Sequence, residues 1–174
     1  MTNSATFHTY AMQAGLVPRA SLRTQVSLVR HLYVTADIAA TLDGPNRLIR
    51  FSAVKVNLAI TNYLLGRKID VSREDRKWKK GEEPDFVKIV GADELWEFCF
   101  RDPRPGHRLF GRFLEEGVFI GLRLIDRHDV DYVKIAGEIL EEWNAKFPGI
   151  DPVNSSNLAD YLGGVWRDVD AEDD

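Results

Sequence analysis

Residues 95–127, LWEFCFRDPRPGHRLFGRFLEEGVFIGLRLIDR, constrain the fold of this chain more than any other stretch. Two apolar runs, 108–114 and 118–125, are separated only by Glu115-Glu116-Gly117. Such runs around a short Gly-containing loop are the sequence form of a β-hairpin. Upstream, 95–100 alternates, with Trp96, Phe98 and Phe100 on one side and Leu95, Glu97 and Cys99 on the other. Pro103 and Pro105 lack the N–H that a sheet ladder needs, so they separate this strand from the hairpin. The pattern predicts an antiparallel β-meander over about residues 86–125. Asp129 is placed to cap a helix over about 129–146, with Val133, Ala136, Ile139, Leu140 and Trp143 as its apolar stripe and Phe147-Pro148-Gly149 as its stop. This helix is expected to pack on the meander.

The first half reads as mainly helical. Residues 1–17 show little pattern and are expected to form a partly ordered arm. From Ser21 onward, Leu22, Val26, Val29, Tyr33, Ala36 and Ala40 recur at three- and four-residue steps, which predicts one amphipathic helix closed by Gly44-Pro45. Residues 47–65 carry both strand-like and helix-like spacing, and their length with Gly66 favours a helix. A short helix is expected within 155–163. The fold class is α+β in a single domain, with a mainly helical part over 18–85 and a sheet plus helix over 86–147.

Composition excludes several classes. Hydrophobic residues at 44% and charged residues at 29% suit a packed domain rather than a disordered or collagen-like chain. One cysteine, Cys99, allows no internal disulfide, and on an apolar strand it is expected to be an inert buried thiol. No apolar run has membrane-spanning length and the N-terminus lacks a secretory pattern, so a cytoplasmic protein is expected. Five of the 27 acidic residues and no base lie in the tail 168–174, so the rest of the chain is near neutral and the net charge of −4 comes from the tail. That tail is either a solvated end or a contact for a basic partner.

No dinucleotide, phosphate-loop, hydrolase-elbow or zinc-finger motif occurs, and no metal or cofactor is expected. The run Asp126, His128, Asp129, Asp131 offers metal-ligand types but is too tight to converge on one ion. The chemistry-bearing stretch is Arg101, Arg104, Arg108 and Arg112, met by Arg123 and Arg127 from the returning strand. Guanidinium groups suit phosphate oxygens through bidentate donation. His107 and His128 flank the cluster, and histidine is the usual proton carrier near neutral pH. The reaction such a set suits is metal-independent phosphodiester cleavage in RNA. The alternative is structural: nearby Glu97, Asp102, Glu115, Glu116, Asp126 and Asp129 pair with the arginines, and His128 helps to cap the last helix.

Leu95-Trp96-Glu97-Phe98, His107-Arg108-Leu109-Phe110 and the strand 119–127 resemble the core of the RelE/ParE toxin superfamily, in its HigB or phage Gp49-like branch, over about residues 92–140. The resemblance implies a small α+β endoribonuclease, action on messenger RNA at the ribosome, and a cognate antitoxin. On that view His107, Arg108 and His128 are catalytic, while Arg101, Arg104, Arg112, Arg123 and Arg127 hold the RNA phosphates. The competing expectation is a non-enzymatic interaction module.

Overall fold

The computed structural model describes residues 4–23, 26–44, 53–73, 83–101 and 106–171. Strand β5, Trp96–Phe100, is buried along its whole length. Its alternation feeds two cores: Trp96, Phe98 and Phe100 join one apolar cluster, Leu95 and Cys99 the other. A sheet buried on both faces is the result, with helices on each side.

The hairpin forms as its spacing dictates, from β6, His107–Glu115, and β7, Val118–Asp126. Gly117 takes φ of 71° in the turn, a region that a residue without Cβ enters freely. Strand β4, Phe86–Lys88, runs antiparallel to β5, and β5 runs antiparallel to β6, with Phe98 opposite Leu109.

The expected all-antiparallel sheet is corrected by what flanks these four strands. Strand β1 is Val17–Pro18, β2 is His31–Val34, β3 is Ile69–Ser72 and β8 is Trp166–Asp168. The mixed sheet has the order β1-β2-β7-β6-β5-β4-β3-β8. Strand β2 runs parallel to β7, and β3 runs parallel to both β4 and β8. The partners in β2–β7 and β3–β8 are distant in sequence, and local pattern carries no trace of them.

The single helix expected from Ser21 to Gly44 is also corrected. His31–Val34 is strand β2, and only Ala36–Asp43 is helical, as α2. Thr35 caps α2 by accepting the Ile38 N–H. Leu32, Tyr33 and Val34 are all buried, so this short strand lacks the polar alternation that would have marked it. Leu22, Val26 and Val29, counted into the helical stripe, are exposed.

Residues within the expected arm form helix α1, Ser4–Gln13, with Phe7 and Ala11 buried. Helix α3, Ala53–Leu64, follows the favoured reading and buries Val56, Ile60, Tyr63 and Leu64. Helix α4, Tyr132–Lys146, is capped by Asp131 rather than Asp129. Ile135, Ile139 and Trp143 are buried with Phe110, Ile120 and Leu122, whereas Val133 is exposed. Side chains of α2 and α3 enter the first core, and those of α1 and α4 enter the second.

Part of the acidic tail is engaged rather than solvated. Asp168 pairs with Arg73 at 2.8 Å, and Asp170 accepts from Ser72 Oγ and from the Arg73 N–H. The expected short helix appears as a 3-10 turn, Leu158–Asp160. Residues 74–80, a run rich in lysine and arginine that carries Trp78, lie outside the described residues.

Candidate functional site: a groove at the carboxyl ends of β2 and β7

Strands β2 and β7 are neighbours and run parallel, but the chain leaves them in opposite directions. After Val34 it enters α2, which packs in the first core, and after Asp126 it turns through a 3-10 segment, Arg127–Asp129, toward α4 in the second. Diverging helices after adjacent parallel strands open a crevice, the usual ligand site of such sheets. A groove of about 1270 Å³ lies there. Thr35, Asp37 and Thr41 line it from α2, Arg123 and Asp126 from β7, Glu142 and Lys146 from α4. His107 and His128 also line it.

His107 and Asp126 are directly paired across the β6–β7 ladder. The histidine is buried, and burial pulls its pKa below the usual 6.5, against the upward influence of Asp126. Asp126 Oδ1 accepts the backbone N–H of His128 at 2.9 Å, which fixes the turn that presents the exposed His128. The two candidate proton carriers therefore line one groove, with Asp126 beside both in the backbone.

Of the arginines read as phosphate ligands, only Arg123 lines the groove, among the described residues. Arg108 is 6% exposed, lies 3.8 Å from the Glu97 carboxylate and donates to the His107 carbonyl at 3.0 Å. Arg112 is 2% exposed; it donates to the Asp93 carbonyl at 2.7 Å and lies over the Trp143 ring. Arg123 pairs with Glu138 at 3.1 Å and with Glu142. Arg101 lies 3.6 Å from Asp85. Arg112 stands opposite Ile120 and Arg123 opposite Phe110, so the two are not cross-strand neighbours. Arg127 is exposed in the 3-10 turn, its N–H bound to the Gly106 carbonyl, and Arg104 lies outside the described residues. Arg101, Arg108, Arg112 and Arg123 each lie beside a carboxylate, as burial of a guanidinium requires, while Arg101 Nε and Nη2, Arg108 Nε and Arg112 Nε are buried without a hydrogen-bond partner.

Under the start of α4, burial raises the Glu97 carboxyl above the ordinary range although Arg108 and Arg127 oppose the shift, and Tyr132 donates to it. Burial and Glu97 push the Cys99 thiol up to about 12, which leaves it unreactive. Among the described residues no three His, Cys, Asp or Glu side chains converge as a metal-binding set.

Thr35, Asp37 and Thr41 are contributions that the sequence reading missed. The signal was the step Thr35-Ala36-Asp37, a capping residue and an acid before an apolar helical run. No family model, no curated protein and no solved structure matches this chain. Among the described residues no helix is long and apolar enough to cross a membrane.

Proposed function

We propose that this protein is a RelE/HigB-like toxin-type protein that binds RNA in the β2–β7 groove and cleaves it without a metal. The observation that carries the reading is that His107 and His128 line one groove, with His107 opposite Asp126 in the β6–β7 ladder and the His128 backbone held by the Asp126 carboxylate. The three stretches that bear the resemblance lie on the neighbouring strands β5, β6 and β7, with α2 and α3 before them in the chain, which supports it further. Neutral His107 takes the proton of the ribose 2′-hydroxyl, and that oxygen attacks the adjacent phosphorus. His128 gives a proton to the departing 5′-oxygen, leaving a 2′,3′-cyclic phosphate and a free 5′-hydroxyl. Asp126 stabilises the imidazolium formed on His107. The messenger, a ribosome and an antitoxin are the partners this reading entails.

The test is controlled induction in a bacterial host, with RNA ends mapped, followed by cleavage with purified protein in chelator. His128 is exposed, so His128→Ala removes its imidazole without opening the core. Cleavage abolished in this variant and in His107→Gln supports the reading; cleavage absent from the parent, or unchanged in both variants, overturns it.

One observation favours a second reading, a non-enzymatic protein-interaction module. Arg101, Arg112 and Arg123 are held by Asp85, Asp93 and the Glu138–Glu142 pair, and Asp37, Asp126 and Asp129 make the groove rich in carboxylates. Phosphate affinity depends on cationic contacts, so this distribution suits a protein partner better than RNA. Unchanged RNA with soluble protein present selects this reading.

A further inference from the structure

Helix α1 depends on what it docks against. It has ten residues, and a helix that short does not persist alone in water. No acidic side chain in its first turn and no basic one in its last offsets its dipole. Docking on β2 supplies what local structure lacks. Phe7 and Ala11 enter the second core, and the Phe7 ring lies 5.0 Å from that of His31. His8 Nδ1 is hydrogen-bonded to the Tyr33 hydroxyl at 2.9 Å. Gly15, at a φ of 72°, turns the chain from α1 toward β1.

The imidazoles in this contact are poorly placed to take up charge. His31 is half-buried beneath α1, on the wall of a small cavity shared with His8 and Arg19. His8 faces it from α1, and Arg19 from the chain after β1. The Arg19 guanidinium is held by Asp43 at 2.9 and 2.7 Å and by Asn57 at 3.1 Å, with its Nε buried and unpartnered. Asp43 is thereby spent on Arg19. Tyr33, two residues along β2, stays a neutral phenol, because burial and Glu115 of β6 raise its pKa above 10. Burial, with His8 adding to it, holds the His31 pKa below the usual 6.5. A protonated His8 also has no acceptor nitrogen, so the Tyr33 O–H can no longer donate to it.

We propose that His31 and His8 form a proton-sensitive latch, which keeps α1 docked on β2 at neutral pH and releases it in mild acid. The docked state favours neutral His31, so the latch is fully closed above about pH 6.5 and weakens as the pH falls below it. Release reaches the groove. Gly15 lines that groove, as does Lys146, whose ammonium donates to the Ala14 carbonyl at 3.3 Å. When α1 leaves, the Gly15 end of the groove opens and Lys146 keeps only the more distant Glu142, at 3.7 Å, among its contacts with described residues. The latch is independent of what the groove binds, whether RNA or a protein.

The test is amide hydrogen exchange on the full chain at about pH 7.5 and about pH 5, on either side of the histidine range. Rates are corrected for the intrinsic effect of pH on exchange. The α1 amides are expected to lose protection in acid by a larger factor than those of α4, which packs in the same core. By NMR, the Gly15 amide resonance is expected to move with the midpoint of the His31 imidazole. His31→Gln keeps a polar side chain that does not titrate, and is expected to remove most of the acid-specific loss. Equal losses in α1 and α4 report general acid unfolding and overturn the latch. So do an unchanged α1 at both pH values and an acid loss that persists in His31→Gln. Should His31→Gln undock α1 already at neutral pH, the parent decides: a His31 midpoint above 6.5, or a Gly15 resonance that does not follow it, overturns the proposal.

Discussion

His107 faces Asp126 across the β6–β7 ladder, and the same Asp126 carboxylate fixes the backbone of His128. Two influences compete at the His107 ring: burial disfavours the imidazolium, and Asp126 favours it. Burial is the larger. His107 is therefore expected to titrate below 6.5, and Asp126→Asn, by deleting the favourable charge, is expected to move that titration further down. NMR titration of the imidazole resonances measures both. Because the folded value lies below the unfolded one, His107 supports the fold above about pH 6.5 and draws stability away as the pH falls below it. A His107 midpoint above 6.5, or an upward move in Asp126→Asn, contradicts this account.

Arg108 tests packing rather than chemistry. It is buried beside Glu97, itself 4% exposed, so Arg108→Ala strands a carboxylate under α4. Leaving one member of a buried pair without its partner costs about 3–5 kcal/mol. Denaturant unfolding is expected to show a loss at the lower end of that range, since the pair is long at 3.8 Å. Burial already raises the Glu97 pKa, so ionised Glu97 costs stability at neutral pH and the cost is relieved as the pH falls. The loss in Arg108→Ala is accordingly expected to shrink in acid. Arg108→Met combined with Glu97→Leu is expected to recover most of it, and a double variant as weak as the single one defeats the argument.

The antiparallel core of the sheet was legible because its signals are local. Trp96, Phe98 and Phe100 alternate with Leu95 and Cys99, and Glu115-Glu116-Gly117 joins two apolar runs. Strand β2 was not, because a four-residue strand whose Leu32, Tyr33 and Val34 are all buried can be counted into a helical stripe as readily as into a strand. The histidines were found by type, whereas their meeting place required knowing that β2 pairs in parallel with β7 across more than eighty residues of chain. The arginines misled for a related reason. Glu97 was a visible counter-charge, but Asp85 and Asp93 arrive from the bend before β4 and from a loop, and Glu138 and Glu142 from one face of α4. Charge counted along a strand says little about charge left over once helices have covered it.

Arg30 holds the C-terminal segment. It is fully buried and donates to the carbonyls of Tyr63 at 3.3 Å, Arg67 at 2.9 Å, Val165 at 2.7 Å and Gly163. One guanidinium thereby ties the end of α3 to the chain that leads into β8. Arg30→Met leaves buried carbonyls without donors, at about 1–3 kcal/mol for each that water cannot reach. The expected outcome is a loss of about 3 kcal/mol or more, with faster amide exchange concentrated in residues 161–169. Uniform acceleration across the sheet would instead assign Arg30 to the general core.

Two glycines make a matched pair with opposite expectations. A Cβ added at Gly111 meets the Ile120 carbonyl oxygen at 1.8 Å and the Phe119 ring at 3.0 Å, where the ladder between β6 and β7 shifts register. The obstacle is backbone, which no rotamer change removes, so the strands must separate. Overpacking of this severity costs about 3 kcal/mol, which in a domain of this size lowers Tm by roughly 10 °C. Gly137, inside α4, meets nothing within 4 Å. Gly137→Ala is expected to raise stability by about 0.5–1 kcal/mol through helix propensity and the reduced freedom of the unfolded chain. Thermal unfolding of the two variants beside the parent reads both signs in one experiment. A Gly111→Ala protein as stable as the parent would show that β6 and β7 do not approach as closely as this register requires.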